Sequence, residues 1–316
     1  MILSIILTVY NKKQYLTRAL DVLLGQKETR EGDYEIIAVN DGSTDGSINI
    51  LEEYARINPC VRIINQSNQG LSMARNNGLD VSTGDYIWFV DADDTISTNS
   101  VNSICKAAQS HPDIIPIYAQ FKGDEKIHNY ISCDVKTGKD VLLDNWEHCG
   151  VFWIMRKEFL LENNLRFFPG IYHEDAEFTP RMLYYAETVR VIPCVLYTVD
   201  VDPNSITQIP RPKRAFDCLT VAEHICDFCE MNKEIGTPIG RVLYYNASVV
   251  INNGFNVIVN NSKEDQMSFN RELSKRKKLL DALWRAPLLK YRIESLLFKL
   301  FQGRYVSVYK TMKLIG

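Results

Sequence analysis

The chain has 316 residues, 46% of them hydrophobic and 24% charged, with a formal net charge of −3. That is enough apolar material for one large α/β domain or two smaller ones, and no apolar run reaches the roughly 18 residues of a membrane span. Eight cysteines, at positions 60, 105, 133, 149, 194, 218, 226 and 229, form no disulfide framework, so a reducing cytoplasm is the expected compartment.

Met1 leads straight into an apolar run with no basic flank or cleavage site, which predicts a buried first strand in place of a secretory leader. Residues 1–110 then alternate short apolar runs (3–9, 34–40, 61–65, 85–90) with longer amphipathic ones (13–24, 46–57, 71–81, 97–109). Alternation of this kind predicts an α/β fold with a mostly parallel sheet flanked by helices. Neither a Gly-x-Gly-x-x-Gly turn nor a Walker-type Gly-Lys-Ser/Thr occurs, which argues against dinucleotide and P-loop enzymes.

Polar residues gather where these strands end, the side on which open α/β sheets bind ligands. Thr8-Val9-Tyr10-Asn11 ends the first strand. Asn40-Asp41-Gly42-Ser43-Thr44-Asp45 ends the second, with Asp45 expected to cap the next helix. Trp88-Phe89-Val90 runs into Asp91-Ala92-Asp93-Asp94, three carboxylates in four positions, whose repulsion a hard cation such as Mg²⁺ or Mn²⁺ relieves while bridging to phosphate. The bland alternative is that Asp94 simply caps the helix that follows. Gly70 opens a helix whose Arg75 either meets a phosphate or holds one of these acids.

These stretches, with Asn68-Gln69-Gly70 and Ala74-Arg75-Asn76-Asn77-Gly78 between them, resemble the family-2 glycosyltransferases of GT-A fold in order and spacing over about a hundred residues. The resemblance implies a nucleotide-sugar donor, usually a UDP-sugar, a divalent cation (Mn²⁺ or Mg²⁺) and inversion at the anomeric carbon. By motif, Thr8, Val9, Tyr10 and Asp41 correspond to the nucleobase pocket, with Ser43 beside it. Gly70, Arg75, Asp91 and Ala92 join the donor site. Asp93 corresponds to the principal metal ligand, with Asp91 assisting.

Further on, 113–121 and 127–133 alternate like strands, 136–146 carries no interpretable pattern, and 150–167 resembles the family's connecting strand and helix. Glu174 and Asp175 open an apolar-periodic segment. Acids in a first helical turn are ordinarily dipole partners, but the stretch resembles the family's Glu-Asp motif, which implies Asp175 as catalytic base. After a strand-like run at 189–199 the family shows a tyrosine, arginines and a Ser-Ile. Here Tyr197 is followed by Asp200 and Asp202 where arginines are expected, and Arg211, Lys213 and Arg214 stand next as candidates to compensate.

Residues 214–316 read as helices: 214–231, with Cys218, His224, Cys226 and Cys229 matching no zinc spacing and turned inward, then 241–259, then 271 onward. Residues 271–316 hold twelve Lys/Arg against three Asp/Glu, a net +9, leaving −12 elsewhere. Such a basic amphipathic tail either lies on an anionic membrane or packs on its own domain. Pro287 interrupts any single helix there. The expected organisation is a GT-A catalytic domain over 1–210 (nucleotide-sugar half 1–110, acceptor and base half 111–210) and a helical extension over 211–316. The expected acceptor is a glycan or lipid-linked glycan, at the cytoplasmic membrane face. Nucleic acid is not an expected partner. The rival reading is a non-catalytic sugar-nucleotide-binding or scaffold protein, for which Asp200 and Asp202 speak. A pyrophosphorylase would open on a glycine-rich basic loop that this chain lacks.

Overall fold

The computed structural model describes residues 2–144, 146–200, 211–301 and 304–315. In chain order the elements are β1 (Leu3–Val9), α1 (Lys13–Leu24), β2 (Tyr34–Asp41), α2 (Ser47–Ile57), β3 (Val61–Gln66), α3 (Leu71–Val81), β4 (Tyr86–Asp91), β5 (Thr95–Ile96), α4 (Ser100–Ala108), β6 (Ile114–Phe121), α5 (Gly138–Leu143), β7 (Trp153–Arg156), α6 (Lys157–Glu162), α7 (Glu174–Tyr185) and β8 (Ile192–Val199). Six helices follow: α8 (Pro212–Met231), α9 (Pro238–Ile258), α10 (Lys263–Lys275), α11 (Lys277–Arg285), α12 (Leu289–Phe301) and α13 (Tyr305–Ile315). They divide into two compact units, Met1–Gly170 with Arg181–Asp202, and Ile171–Pro180 with Pro203–Gly316.

The first unit is built on an eight-stranded sheet of order β3-β2-β1-β4-β7-β6-β8-β5. Its first four strands are parallel, and antiparallel β7 joins β4 to β6. All of Leu3 to Val9 and all of Tyr86 to Val90 are buried, because helices cover both faces of a parallel sheet and leave no solvent side for polar alternation. Helix α1 contributes Leu16, Ala19, Leu20 and Leu23, at helical spacing, to that cover. At Gly78 a Cβ would lie 2.4 Å from the Ile6 side chain, so α3 can rest directly on β1 only because this residue has none. Trp88 is fully buried and its indole N–H donates to the Val151 carbonyl at 2.9 Å. Truncating such a side chain to alanine costs about 3–5 kcal/mol.

The chain winds outward from β1 through β2 to β3, then returns to place β4 on the other side of β1. The carboxyl ends of β1 and β4 therefore flank a switch point, where an open sheet leaves a crevice. Register holds the four ends level: Thr8 pairs with Asp91, Val9 with Asn40 and Asp41 with Gln66.

Three expectations fail locally. Residues 127–133 form only an isolated bridge, Ala119 to His128. There Asn129 adopts a left-handed φ of 53° and donates its amide to the Ile117 carbonyl at 3.0 Å, so side chain to backbone bonds replace a ladder. The helix expected from 97 starts at Ser100, because Thr95 and Ile96 pair with Thr198 and Tyr197 as β5. Its cap position is Asn99, not Asp94. The unreadable 136–146 stretch holds α5, opened by a reciprocal capping box between Thr137 and Asp140.

In the second unit α11 buries Leu279, Leu280, Ala282 and Leu283. Arg276 donates to Glu223 at 3.0 Å and Lys278 to Asp227 and to Glu230, the latter at 2.9 Å. The start of the tail is thus tied to α8, and the helix breaks around Pro287. Cys218, Cys226 and Cys229 are buried on α8. No helix among the described residues is long and apolar enough to cross a membrane.

Candidate active site at the strand ends

Across the switch point Thr8 donates its hydroxyl to Asp91 at 3.0 Å. Arg75 donates to the same Asp91 oxygen at 3.4 Å. Its side chain is 4% exposed, with its guanidinium 5.0 Å from the centre of the Phe167 ring. Arg75 thus pairs with an acid, one of its two expected roles, and stands over the Phe167 ring.

Asp93 receives the Lys12 ammonium, and Arg18 donates to the Asp93 carbonyl at 2.6 Å. Burial and the neighbouring Asp91 charge push the Asp93 carboxyl upward. Asp94, also buried, is pushed further, to about 8, by the same two causes. It accepts the Tyr197 hydroxyl at 2.7 Å and the Asp200 N–H at 2.9 Å, so it ties β4 to the end of β8. Burial, and then the charge of Asp94, carry the Tyr197 hydroxyl well above its ordinary range, which keeps it a donor.

Asp200, at an expected arginine position, accepts from Arg18 and from Lys122, each at 2.9 Å. The Lys122 hydrogen bond, then that of Arg18, holds its carboxyl below the usual range. The charge reversal at 200 is therefore answered on the spot by two cations. Asp202 and the 203–206 stretch lie outside the described residues. Lys213 instead pairs with Asp217 at 2.6 Å, Arg211 donates to the Tyr172 hydroxyl at 3.1 Å, and Arg214 is buried.

Asp41, 4% exposed, accepts from the Gln66 amide at 2.7 Å and from the Gln69 and Gly70 backbone N–H groups at 2.7 and 2.9 Å. It fixes the turn in which Gly70 takes φ 87°. A carboxylate has about four acceptor directions, and these three bonds take most of them. Ser43 accepts the Asn11 N–H at 3.0 Å, and Asp45 accepts both the Lys13 and Ser47 N–H groups at 2.9 Å, serving the starts of α1 and α2 together. Tyr10 is 46% exposed above this rim, whereas Val9 and Ala92 are buried and offer a ligand only their backbone.

The rim thus brings together Thr8, Tyr10, Asp41, Ser43, Asp91 and Asp93. Sequence reasoning missed Lys12, Arg18 and Lys122. Lys12 and Arg18 lie just beyond the Tyr10-Asn11 motif, and that proximity was the available signal. Nothing in linear spacing connects Lys122 to Asp200. Asp91 and Asp93 place two carboxylates at the rim, and among the described residues no group of three or more His, Cys, Asp or Glu is placed to hold a metal ion.

In the second unit Glu174 and Glu177 of α7 are buried, 8% and 5% exposed, while Asp175 between them is half-exposed and accepts the Ala176 N–H at 2.8 Å. His173, just before them, takes a left-handed φ of 63°.

The chain is similar to several known proteins. The uncharacterized glycosyltransferase YibD of Escherichia coli K12 is 31% identical over 223 residues, 66% of this chain and 64% of its own length. EpsJ of Bacillus subtilis, likewise an uncharacterized glycosyltransferase, is 32% identical over 222 residues, again 66% and 64%. The aligned part therefore spans just under two thirds of these relatives. Crystal structures of S. aureus TarS superpose with a TM-score of 0.68 at 21% identity, covering 97% of this chain and 87% of the other, and 0.65 at 19% identity for the complex with UDP-GlcNAc, covering 97% and 88%. Residues 4–165 match the family model described as Glycosyl transferase family 2, just over half of the chain. The chain belongs to glycosyltransferase family 2 and carries its GT-A fold.

Proposed function

We infer that this chain moves a sugar from a nucleotide-sugar, in the first instance a UDP-sugar, to a hydroxyl of a glycan or lipid-linked glycan, with inversion. The observation that carries this is the level rim of Thr8, Asp41, Asp91 and Asp93 at the sheet's switch point, in a chain of this family. TarS in complex with UDP-GlcNAc and with UDP favours the uridine donor. Tyr10 offers an exposed ring for the base, Asp41 belongs to the same pocket, and Ser43 lies beside them. Asp93, with Asp91, would hold Mn²⁺ or Mg²⁺, which offsets charge on the departing diphosphate. The catalytic role falls to residues 1–210, with 211–316 as the helical extension, acting at the cytoplasmic membrane face.

Asp175 acts as the base, taking the proton of the attacking sugar hydroxyl. Its exposure supports this, since Glu174 and Glu177 on the same turn are buried. Nucleotide release over a panel of UDP- and GDP-sugars, with and without Mn²⁺, tests the reading. Asp175→Asn should lower turnover by about 10²- to 10⁴-fold while donor binding persists. Normal turnover in that variant with a dead Glu174→Gln would move the role to Glu174. The scaffold alternative, donor binding without turnover on any donor, loses its best support at Asp200, whose charge Arg18 and Lys122 answer.

A further inference from the structure

Helix α12 carries two apolar faces. Tyr291, Glu294, Ser295 and Phe298 point into the second unit and are buried. Leu289, Ile293, Leu296 and Leu300 recur at steps of four, three and four residues and are 68%, 44%, 48% and 75% exposed. At 3.6 residues per turn these four fall within an arc of about 60°, opposite the buried set. Lys290 stands about a quarter turn to one side of that stripe, and Arg292 and Lys299 about as far to the other; all three are exposed. The only acid of the helix, Glu294, is on the buried side. Trp284, 49% exposed, lies just before the stripe, where it lines a cleft of about 490 Å³ with Asp281, Arg285 and Arg292.

We propose that the outer face of α12 lies in the plane of an anionic lipid surface, with Leu289, Ile293, Leu296 and Leu300 among the acyl chains and Lys290, Arg292 and Lys299 at the headgroups. An amphipathic helix with cations flanking an aliphatic stripe buries its apolar face at the headgroup boundary while the long basic side chains reach back to the phosphates. Arg285 and Arg292 line the Trp284 cleft beside Asp281, and Arg292 donates its Nε–H to the Ala286 carbonyl at 3.2 Å. A second copy of the chain is the poorer occupant. A two-fold contact through this stripe would set the flanking cations of one copy against those of the other, a like-charge juxtaposition that costs several kcal/mol. The proposal goes beyond sugar transfer and does not depend on it.

The test is flotation of the full chain with phosphatidylglycerol–phosphatidylcholine vesicles against phosphatidylcholine alone. The chain should float with the first, release as salt rises, and ignore the second. Lys290→Gln, Arg292→Gln and Lys299→Gln together should lower partitioning by about 10²-fold. Leu289→Ser, Leu296→Ser and Leu300→Ser should lower it at least as much. Both triple variants alter exposed positions, so circular dichroism should show unchanged folding, and UDP calorimetry without vesicles reads the donor site separately. Absence of flotation with anionic vesicles at low salt overturns the proposal, as does either triple variant floating like the parent. So does a dimer in sedimentation velocity that the serine variant dissolves, or retention on poly-glutamate in place of vesicles.

Discussion

The strand-end acids of the first unit and Glu294 of the second are held in different ways. At the strand ends of the first, each carboxylate has its own answer: Asp91 has Thr8 and Arg75, Asp93 has Lys12, Asp94 has Tyr197, and Asp200 has Arg18 and Lys122. In the second, Glu294 is 8% exposed and receives one amide hydrogen bond, from Asn252 at 2.8 Å, while its other oxygen meets no hydrogen-bond partner among the described residues. A carboxylate held by nearby cations keeps its charge and can exchange those cations for a ligand's. One held by an amide inside a helical core can lower its cost only by taking a proton. The contrast separates a rim whose acids mostly sit beside cations from a core that merely tolerates a polar residue.

The comparison is broken most sharply at Asp93. With the donor set as read, Asp93→Ala should weaken Mn²⁺-dependent UDP binding by more than about 10²-fold, beyond the 10- to 100-fold that loss of a supporting partner costs. Calorimetry with Mn²⁺ and with EDTA measures it. Equal UDP affinity in both for the parent protein would mean that the acids serve the fold alone.

Glu294 gives the next largest effect, on stability. Burial raises its pKa from 4.5 to about 7, against the smaller downward pull of Lys290 and the Asn252 hydrogen bond; Tyr291, Tyr305 and Tyr309 are its other titratable neighbours. Because the folded value lies above the unfolded one, the contribution is fully present below about pH 4.5. It is lost as pH climbs to about 7 and is level above that. The loss amounts to about 3 kcal/mol at most. Glu294→Gln should abolish that slope, and urea unfolding at about pH 5 and about pH 8 reads the difference. Parallel losses in parent and variant would put the pH dependence elsewhere.

What the sequence showed of this contrast follows from how far apart the partners lie. Strand β1 and helices α1 and α3 fall on their expected residues, because unbroken apolar runs and helical spacing are local signals. Thr8, Asp41 and Asp91 were readable as one site because each ends a strand, and parallel winding brings strand ends together. The Lys12–Asp93 pair joins residues 81 apart and Lys122–Asp200 residues 78 apart, which no periodicity marks. Alternation at 127–133 misled because Asn129 takes a left-handed turn that alternation does not encode. The +9 of the tail was legible as charge, but its partition between Glu223, Asp227 and Glu230 on α8 and the outer face of α12 needed the packing.

The smallest effect sharpens the comparison most finely, at Lys12. If the rim's cations are exchangeable, the ammonium on Asp93 competes with any divalent ion for the same oxygens, and removing it should tighten metal binding. The pair is partly exposed, 25% at Lys12 and 16% at Asp93, so solvent screens it and its worth is about 1 kcal/mol or less. Lys12→Met keeps the aliphatic stem and the packing near Tyr15, whose ring centre is 5.6 Å from the ammonium, while deleting the charge. Mn²⁺ affinity, measured by titration without nucleotide, should rise by up to about 5-fold, the factor that such an energy allows. UDP affinity in EDTA should stay the same or fall, since the variant removes one cation from the rim. An unchanged Mn²⁺ affinity would mean that Lys12 is a fixed structural partner of Asp93 and that the rim's cation there is not exchangeable.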